Sequence, residues 1–314
     1  MGLTKLILLS VVLFAAFVEL PSLGTKALAD NIAITFDDLP SAGDEVFNMS
    51  KKQISDLIIA NLKKEKFRDV YGFMNGKLAV NMAERLNILK DWKTAGFSLG
   101  NHTYSHLSYS KHTPEEFIND IEKNESVLID FASDIKELKL LRLPYLEEGN
   151  TKEKRYALRS YLSKRGYRIA QVTIDFKDWS WQPPLSRCLK LGKSEKIQEL
   201  KEHYLRSAIN NYRSMKKISM IIWGMKEIKH ILLLHFNAPS ALWLPDLIQA
   251  FKKEGAKFIG AKAAIQDPFF DEDTTYVSEV GQNYIMQAMD SRKIKVEPNL
   301  VPQDEQLWLS QQCL

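Results

Sequence analysis

The sequence predicts an α/β fold in which helices cover a parallel sheet, and three observations carry that expectation. Short apolar strands alternate with helical stretches along most of the chain. The strands are mostly apolar rather than alternating, which suits a sheet buried on both faces. Reactive side chains recur directly after the strands, where parallel α/β folds gather their chemistry. The periodicity leaves the sheet open or closed into a barrel. Composition agrees with a globular chain of 314 residues, 45% hydrophobic and 26% charged. Those values exclude wholesale disorder and a multi-pass membrane protein. The 14 Gly and 11 Pro follow no period, which excludes collagen-like and low-complexity architectures. A chain of this length buries enough core to fold without a metal, so a bound metal serves function.

The N-terminus precedes the fold. Lys5 leads an apolar run from Leu6 to Val18, broken by Pro21 and Gly24 before Ala27-Leu28-Ala29. This is the pattern of a secretory signal peptide over residues 1–29, cut between Ala29 and Asp30. The alternative, a retained anchor, needs roughly 20 apolar residues, and the run falls short. Cleavage leaves a net surplus of three basic residues, which gives no reason to expect a nucleic-acid partner. After export, Cys188 and Cys313 either pair or stay as two thiols, and the two outcomes stand even.

Strands are expected at Asn31–Phe36, Val70–Met74, Phe97–Gly100, Leu138–Leu141, Tyr167–Ile174, Ile231–Leu234 and Ala256–Ile259. Helices are expected at Ser50–Lys66, at Pro114–Phe131 after the cap Thr113, and at Leu242–Glu254 before Gly255. A long helical stretch from Ser194 to about Met225 interrupts this rhythm. It belongs to an insertion, about 184–230, with 11 Lys or Arg against four Glu. That surplus reads either as a basic shoulder for an anionic polymer or, in preference, as a solvated helix face. No linker or repeat divides residues 30–314, so one domain is expected, with a C-terminal extension from about 267 that carries no motif. No feature specifies an oligomeric state.

Five strand ends carry the candidate chemistry. Asp37-Asp38 follows the first strand, His102 and His106 the third, Arg142 the fourth, Asp175 and Asp178-Trp179 the fifth, and His235 the sixth. In a parallel barrel all five face one mouth. The His-x-x-x-His spacing puts two imidazoles on one face of a helical turn. With one carboxylate they leave open positions on a metal, and a neighbouring carboxylate is free to act as base. His112, His203 and His230 fall outside this pattern and read as structural.

Thr35-Phe36-Asp37-Asp38, His102-Thr103-Tyr104-Ser105-His106, Arg142-Leu143-Pro144-Tyr145, Asp175-Phe176-Lys177-Asp178-Trp179 and Leu233-Leu234-His235 resemble, in order, the five motifs of polysaccharide deacetylases. These are the carbohydrate esterase family 4 enzymes with a NodB homology domain, and the resemblance spans about Asn31 to Ile265. It implies a distorted, incomplete (β/α) barrel. It also implies that Asp38, His102 and His106 hold a divalent metal, usually zinc, that activates water and polarises the acetyl carbonyl. By the same resemblance Asp37 is the general base and Arg142 its ion-pair partner. His235 is the general acid, held by Asp175. The Tyr145 backbone N–H faces the oxyanion, and Trp179 and Leu233 wall the acetyl methyl group. Two departures stand out: Leu39-Pro40 and Leu146 occupy positions where the family often has glycine. The expected activity is removal of N-acetyl groups from an exported amino-sugar glycan, peptidoglycan or chitin-like. The alternatives are O-acetyl ester hydrolysis on acetylated hemicellulose and a non-catalytic glycan-binding member of the same fold.

Overall fold

The computed structural model describes residues 30–80, 82–132, 137–224 and 226–314. The expected signal peptide and its cut lie outside them. None of the helices among the described residues is long and apolar enough to cross a membrane.

All seven expected strands form, with shifted ends. In chain order the elements are β1 (Asn31–Leu39), α1 (Lys51–Lys64), β2 (Tyr71–Met74), α2 (Gly76–Ala79), α3 (Ala83–Thr94), β3 (Ser98–Asn101) and α4 (Pro114–Leu128). Next come β4 (Leu140–Leu141), α5 (Lys152–Lys164), β5 (Arg168–Ile169), α6 (Gln182–Lys190), α7 (Ser194–Trp223), β6 (His230–His235), α8 (Ala238–Lys253) and β7 (Lys257–Phe258). Short helix α9 (Ala261–Ile265) follows, and α10 (Tyr284–Ser291) and α11 (Gln306–Ser310) lie in the C-terminal extension.

Local chemistry explains the clearest boundaries. Ser50 and Thr113 each accept from the backbone N–H three residues on, and Gln53 and Glu116 reciprocate, so α1 and α4 open with capping boxes. Pro114 fills the first turn of α4, where its missing N–H costs nothing. Helix α8 starts four residues before its expected onset, because Asn237 caps the Ser240 N–H and Pro239 preorganises the first turn.

The sheet is parallel throughout, in the order β5-β4-β3-β2-β1-β6, with β7 also paired to β1. The expected strand over Tyr167–Ile174 splits. Its start, β5, pairs with β4, and its end reaches across to β6 through a bridge between Ile174 and Leu232. Leu233 N donates to Ile174 O at 3.0 Å. The sheet thus curls into a distorted, incomplete barrel, with that isolated bridge linking its two sides. Phe36, Trp92 and Phe236 meet edge to face between β1 and the helices that cover it.

Helix α7 buries Leu200, Tyr204, Ala208, Tyr212, Met215 and Ile218. Its basic residues are largely paired: Lys196 with Glu199, Lys201 with Asp246, Arg213 with Glu254 and Lys216 with Asp30. This favours the solvated-face reading over a basic shoulder. A disulfide joins Cys188, at the end of α6, to Cys313. Beside it the Arg187 guanidinium donates to the carbonyls of Leu309 and Gln312, at 3.0 Å each. The pairing that the sequence left open is made, and it ties the C-terminal tail to α6.

Candidate active site

Strand register brings the first two charged groups together. Asp37 on β1 pairs directly with His235 on β6, both at the C-terminal ends of their strands. Asp37 is buried, and Arg142 lies fully buried beneath it. Arg142 Nη1 donates to both Asp37 oxygens, at 3.0 and 3.2 Å. The rest of the guanidinium is satisfied by Ala170 O at 2.6 Å and Thr35 Oγ1 at 3.1 Å. Each guanidinium nitrogen has a partner, so the buried cation is fixed in place. Burial pushes the Asp37 carboxyl up to about 6, with Arg142 pulling the other way.

Asp38, His102 and His106 converge beside this pair, their ligand atoms all within 4.8 Å of one another. Asp38 Oδ1 lies 3.5 Å from the Nε2 of each histidine. Two ligands at the usual bond lengths of a tetrahedral zinc sit roughly 3.4 Å apart, so both Asp38–His contacts match a shared divalent cation. The protonation states fit too. Burial drives His102 well below the ordinary histidine range, with His106 adding to the effect, and burial also lowers His106. Neutral imidazoles are what a metal needs. His102 Nδ1–H donates to Arg142 O at 2.8 Å, which leaves Nε2 as the ligand nitrogen.

The two histidines are not presented by a helical turn, as their spacing suggested. Residues 102–108 form an irregular loop in which Thr103 (φ 60°) and His106 (φ 56°) are left-handed. Three asparagines that sequence reasoning missed hold that loop. Asn75 Nδ2 donates to His102 O and Thr103 O. Asn101 Oδ1 accepts from Thr103 N, and Asn124 Nδ2 bridges Asn101 Oδ1 and Met74 O. All three are buried. An Asn after each of two neighbouring strands was the available signal.

One expected role is corrected. Asp175 does not hold His235: its Oδ1 accepts from Lys177 N at 2.9 Å, closing a turn. Lys177 is left-handed (φ 56°) and opens a short 3₁₀ turn over Asp178–Trp181. That turn carries Asp178 inward, where Oδ1 accepts from His235 Nδ1–H at 2.6 Å and Oδ2 from His235 N at 2.8 Å. Asn237 and Ser240 supply two further donors to the same buried carboxylate. Burial opposes the charged form of His235, but the charge and hydrogen bond of Asp178 outweigh it, with Asp38 and Asp37 adding to them. His235 is raised to about 10. Asp175 remains in the cleft wall, its pKa raised by burial.

Asp37, Asp38, His102, His106, Asp175 and His235 line one open cleft of about 890 Å³, together with Tyr145, Trp179 and Leu233. Tyr145 stacks edge-on against His106, ring centroids 4.6 Å apart. Its backbone is left-handed (φ 55°), as is that of Leu146 (φ 57°), where the sequence departs from glycine. On another side of the cleft, Lys51 Nζ donates to the carbonyls of Ala42, Gly43 and Asp44. Gln182 reinforces that loop. His112, His203 and His230 lie outside the cleft.

Comparison with known proteins agrees with this geometry. Residues 25–184, about half the chain, match the family model described as Polysaccharide deacetylase. A peptidoglycan-N-acetylglucosamine deacetylase of Bacillus cereus is 28% identical over 148 residues, covering 47% of this chain and 46% of its own. The chain therefore matches less than half the length of that curated relative. Among solved structures, a polysaccharide deacetylase from Bacillus cereus superposes with a TM-score of 0.50 at 18% identity, over 74% of this chain and 91% of that one. A CE4 family pseudoenzyme from Bacillus anthracis gives a TM-score of 0.50 at 15% identity, over 76% and 66%. At such identities the likeness is one of fold.

Proposed function

The chain belongs to the polysaccharide deacetylase family, and from that premise we propose that it is an exported, metal-dependent hydrolase removing N-acetyl groups from an amino-sugar glycan, peptidoglycan or chitin-like. The observation that carries the reading is the pairing, on adjacent strands, of a carboxylate raised to about 6 with an imidazole raised to about 10. Asp37 is poised to take a proton near neutrality, and His235 is held ready to give one.

Asp38, His102 and His106 would hold the cation, zinc in this reading, which when bound supplies a Lewis acid for the acetyl carbonyl and acidifies water. Asp37 accepts the proton of the attacking water, oriented by the two hydrogen bonds from Arg142. The backbone N–H of Tyr145 donates to the carbonyl oxygen as it gains charge. His235, kept as imidazolium by Asp178, passes its ring proton to the sugar nitrogen as the C–N bond breaks, releasing acetate and a free amine. Trp179 and Leu233 pack around the acetyl methyl group and exclude water from it. Export is supported by the signal-like N-terminus and by the disulfide, which suits an oxidising compartment.

The test is acetate release by Asp30–Leu314 with added zinc, on peptidoglycan, chitooligosaccharides and acetylated xylan in parallel, with Asp37→Ala as control. Release from an amino-sugar glycan that is lost in the variant is the expected result. Cleavage of acetylated xylan alone would replace the reading with an O-acetyl esterase. No release from any glycan, with zinc bound, would favour a non-catalytic binder.

A further inference from the structure

We propose that residues 276–281 of the C-terminal extension form a saccharide subsite, in which Val280 packs against the sugar unit next to the one that loses its acetyl group. This rests on the deacetylase reading above and adds to it a preference for linked sugars over a single sugar. Glu279, Val280 and Gly281 line the same cleft as Asp37, Asp38 and His235, although more than 40 residues separate them from the last motif.

The segment is fixed in place. Ser110 Oγ donates to Glu279 O at 3.2 Å, Ser278 N to Gly149 O at 3.3 Å, and Tyr276 Oη to Val280 O at 2.9 Å. Just upstream, Asp273 is paired with Arg155, whose guanidinium also reaches the buried Glu148. Gly281 rests directly on the loop after β4. A Cβ there would collide with the carbonyl oxygen of Tyr145 and the carbonyl group of Leu146. The two residues it covers are the consecutive left-handed pair, so the extension packs against that part of the cleft wall where backbone conformation is most demanding.

The side chains point to the ligand. Val280 is 67% exposed and Tyr145 is 56% exposed, so both leave apolar surface open in the cleft, as does Trp179. Exposed apolar surface continuous with a reaction cleft is suited to a ligand face of C–H groups, which a pyranose ring presents. Glu279, also exposed, offers acceptors to the hydroxyls at the ring's edge. The segment lies outside the family-model match, which ends at 184.

The experiment measures kcat/KM for acetate release from N-acetylglucosamine and its oligomers of two to six units, for the wild type, Val280→Ser and Val280→Asp. Burial of an isopropyl group corresponds to about tenfold, so the wild type should favour the dimer over the monomer by about that factor. Both variants should flatten the preference through a higher KM for the longer chains. Circular dichroism melts establish that the variants fold. A chain-length preference unchanged in folded variants overturns the subsite and leaves the deacetylase reading intact. No acetate from any oligomer with the wild type overturns both.

Discussion

Asp178 grips His235 twice, accepting from its ring Nδ1–H through one oxygen and from its backbone N–H through the other. The same carboxylate therefore sets the charge of the imidazole and its orientation at the end of β6. Asp178→Asn keeps the shape and removes the charge. kcat should fall by about 100-fold. The sign of the pH effect follows from His235 being raised: without the carboxylate it loses its proton at lower pH, so the alkaline limb of the rate profile moves down. An alkaline limb that stays put in this variant would detach Asp178 from the acid.

The acidic limb belongs to Asp37, which must be ionised to act as base and is pushed up to about 6 by burial. Activity should rise as pH rises through that region. Arg142 pulls the Asp37 pKa down, so Arg142→Gln should move the limb to higher pH as well as lower the rate. A pH-rate profile measured with a neutral oligosaccharide checks both.

His102→Ala and His106→Ala should each lower zinc affinity by at least about 100-fold, read by calorimetry or by metal content after dialysis. Asn75→Ala touches no ligand atom. It removes the donor to two backbone carbonyls of the ligand loop, and should weaken zinc binding by about tenfold. Affinity unchanged in Asn75→Ala would confine the asparagine to stability.

The Cys188–Cys313 disulfide closes a loop of sequence separation 125. Chain-entropy arguments give such a loop about 4 to 5 kcal/mol of stabilisation. Cys313→Ser should lower Tm by about 10 °C. Calorimetry in the presence and absence of reductant provides the comparison: reductant should lower the wild-type Tm toward that of the variant, and leave the variant alone.

The sequence carried most of this architecture, because buried parallel strands announce themselves as apolar runs and the capped helices begin at Ser50 and Thr113. It was silent on α3 and α5, where few side chains reach the core and Arg155 is among those that do. In the site, the residue types and strand ends were legible, and the direction of a side chain after a turn was not. Asp175 and Asp178 are equivalent on paper. The left-handed backbone at Lys177 decides which of them enters, and nothing in a lysine foretells it. The histidine loop has the same lesson, since its bend is dictated by Asn75, Asn101 and Asn124 from three separate elements. The subsite wall at Val280 had no signal of its own, lying beyond every motif.

The pairing of Asp37 with His235 in the sheet has a consequence for how such a chain can diversify. Their spacing is set by the interval between neighbouring strands, about 4.8 Å, and by no loop. The stretch between Asp178 and His235 can therefore accept a helix of 30 residues, as it does with α7, and the tail can be restitched by a disulfide. Neither change alters the distance between Asp37 and His235. Substrate choice and chemistry are on separate structural registers, leaving the loops mutational latitude that the two strands do not share.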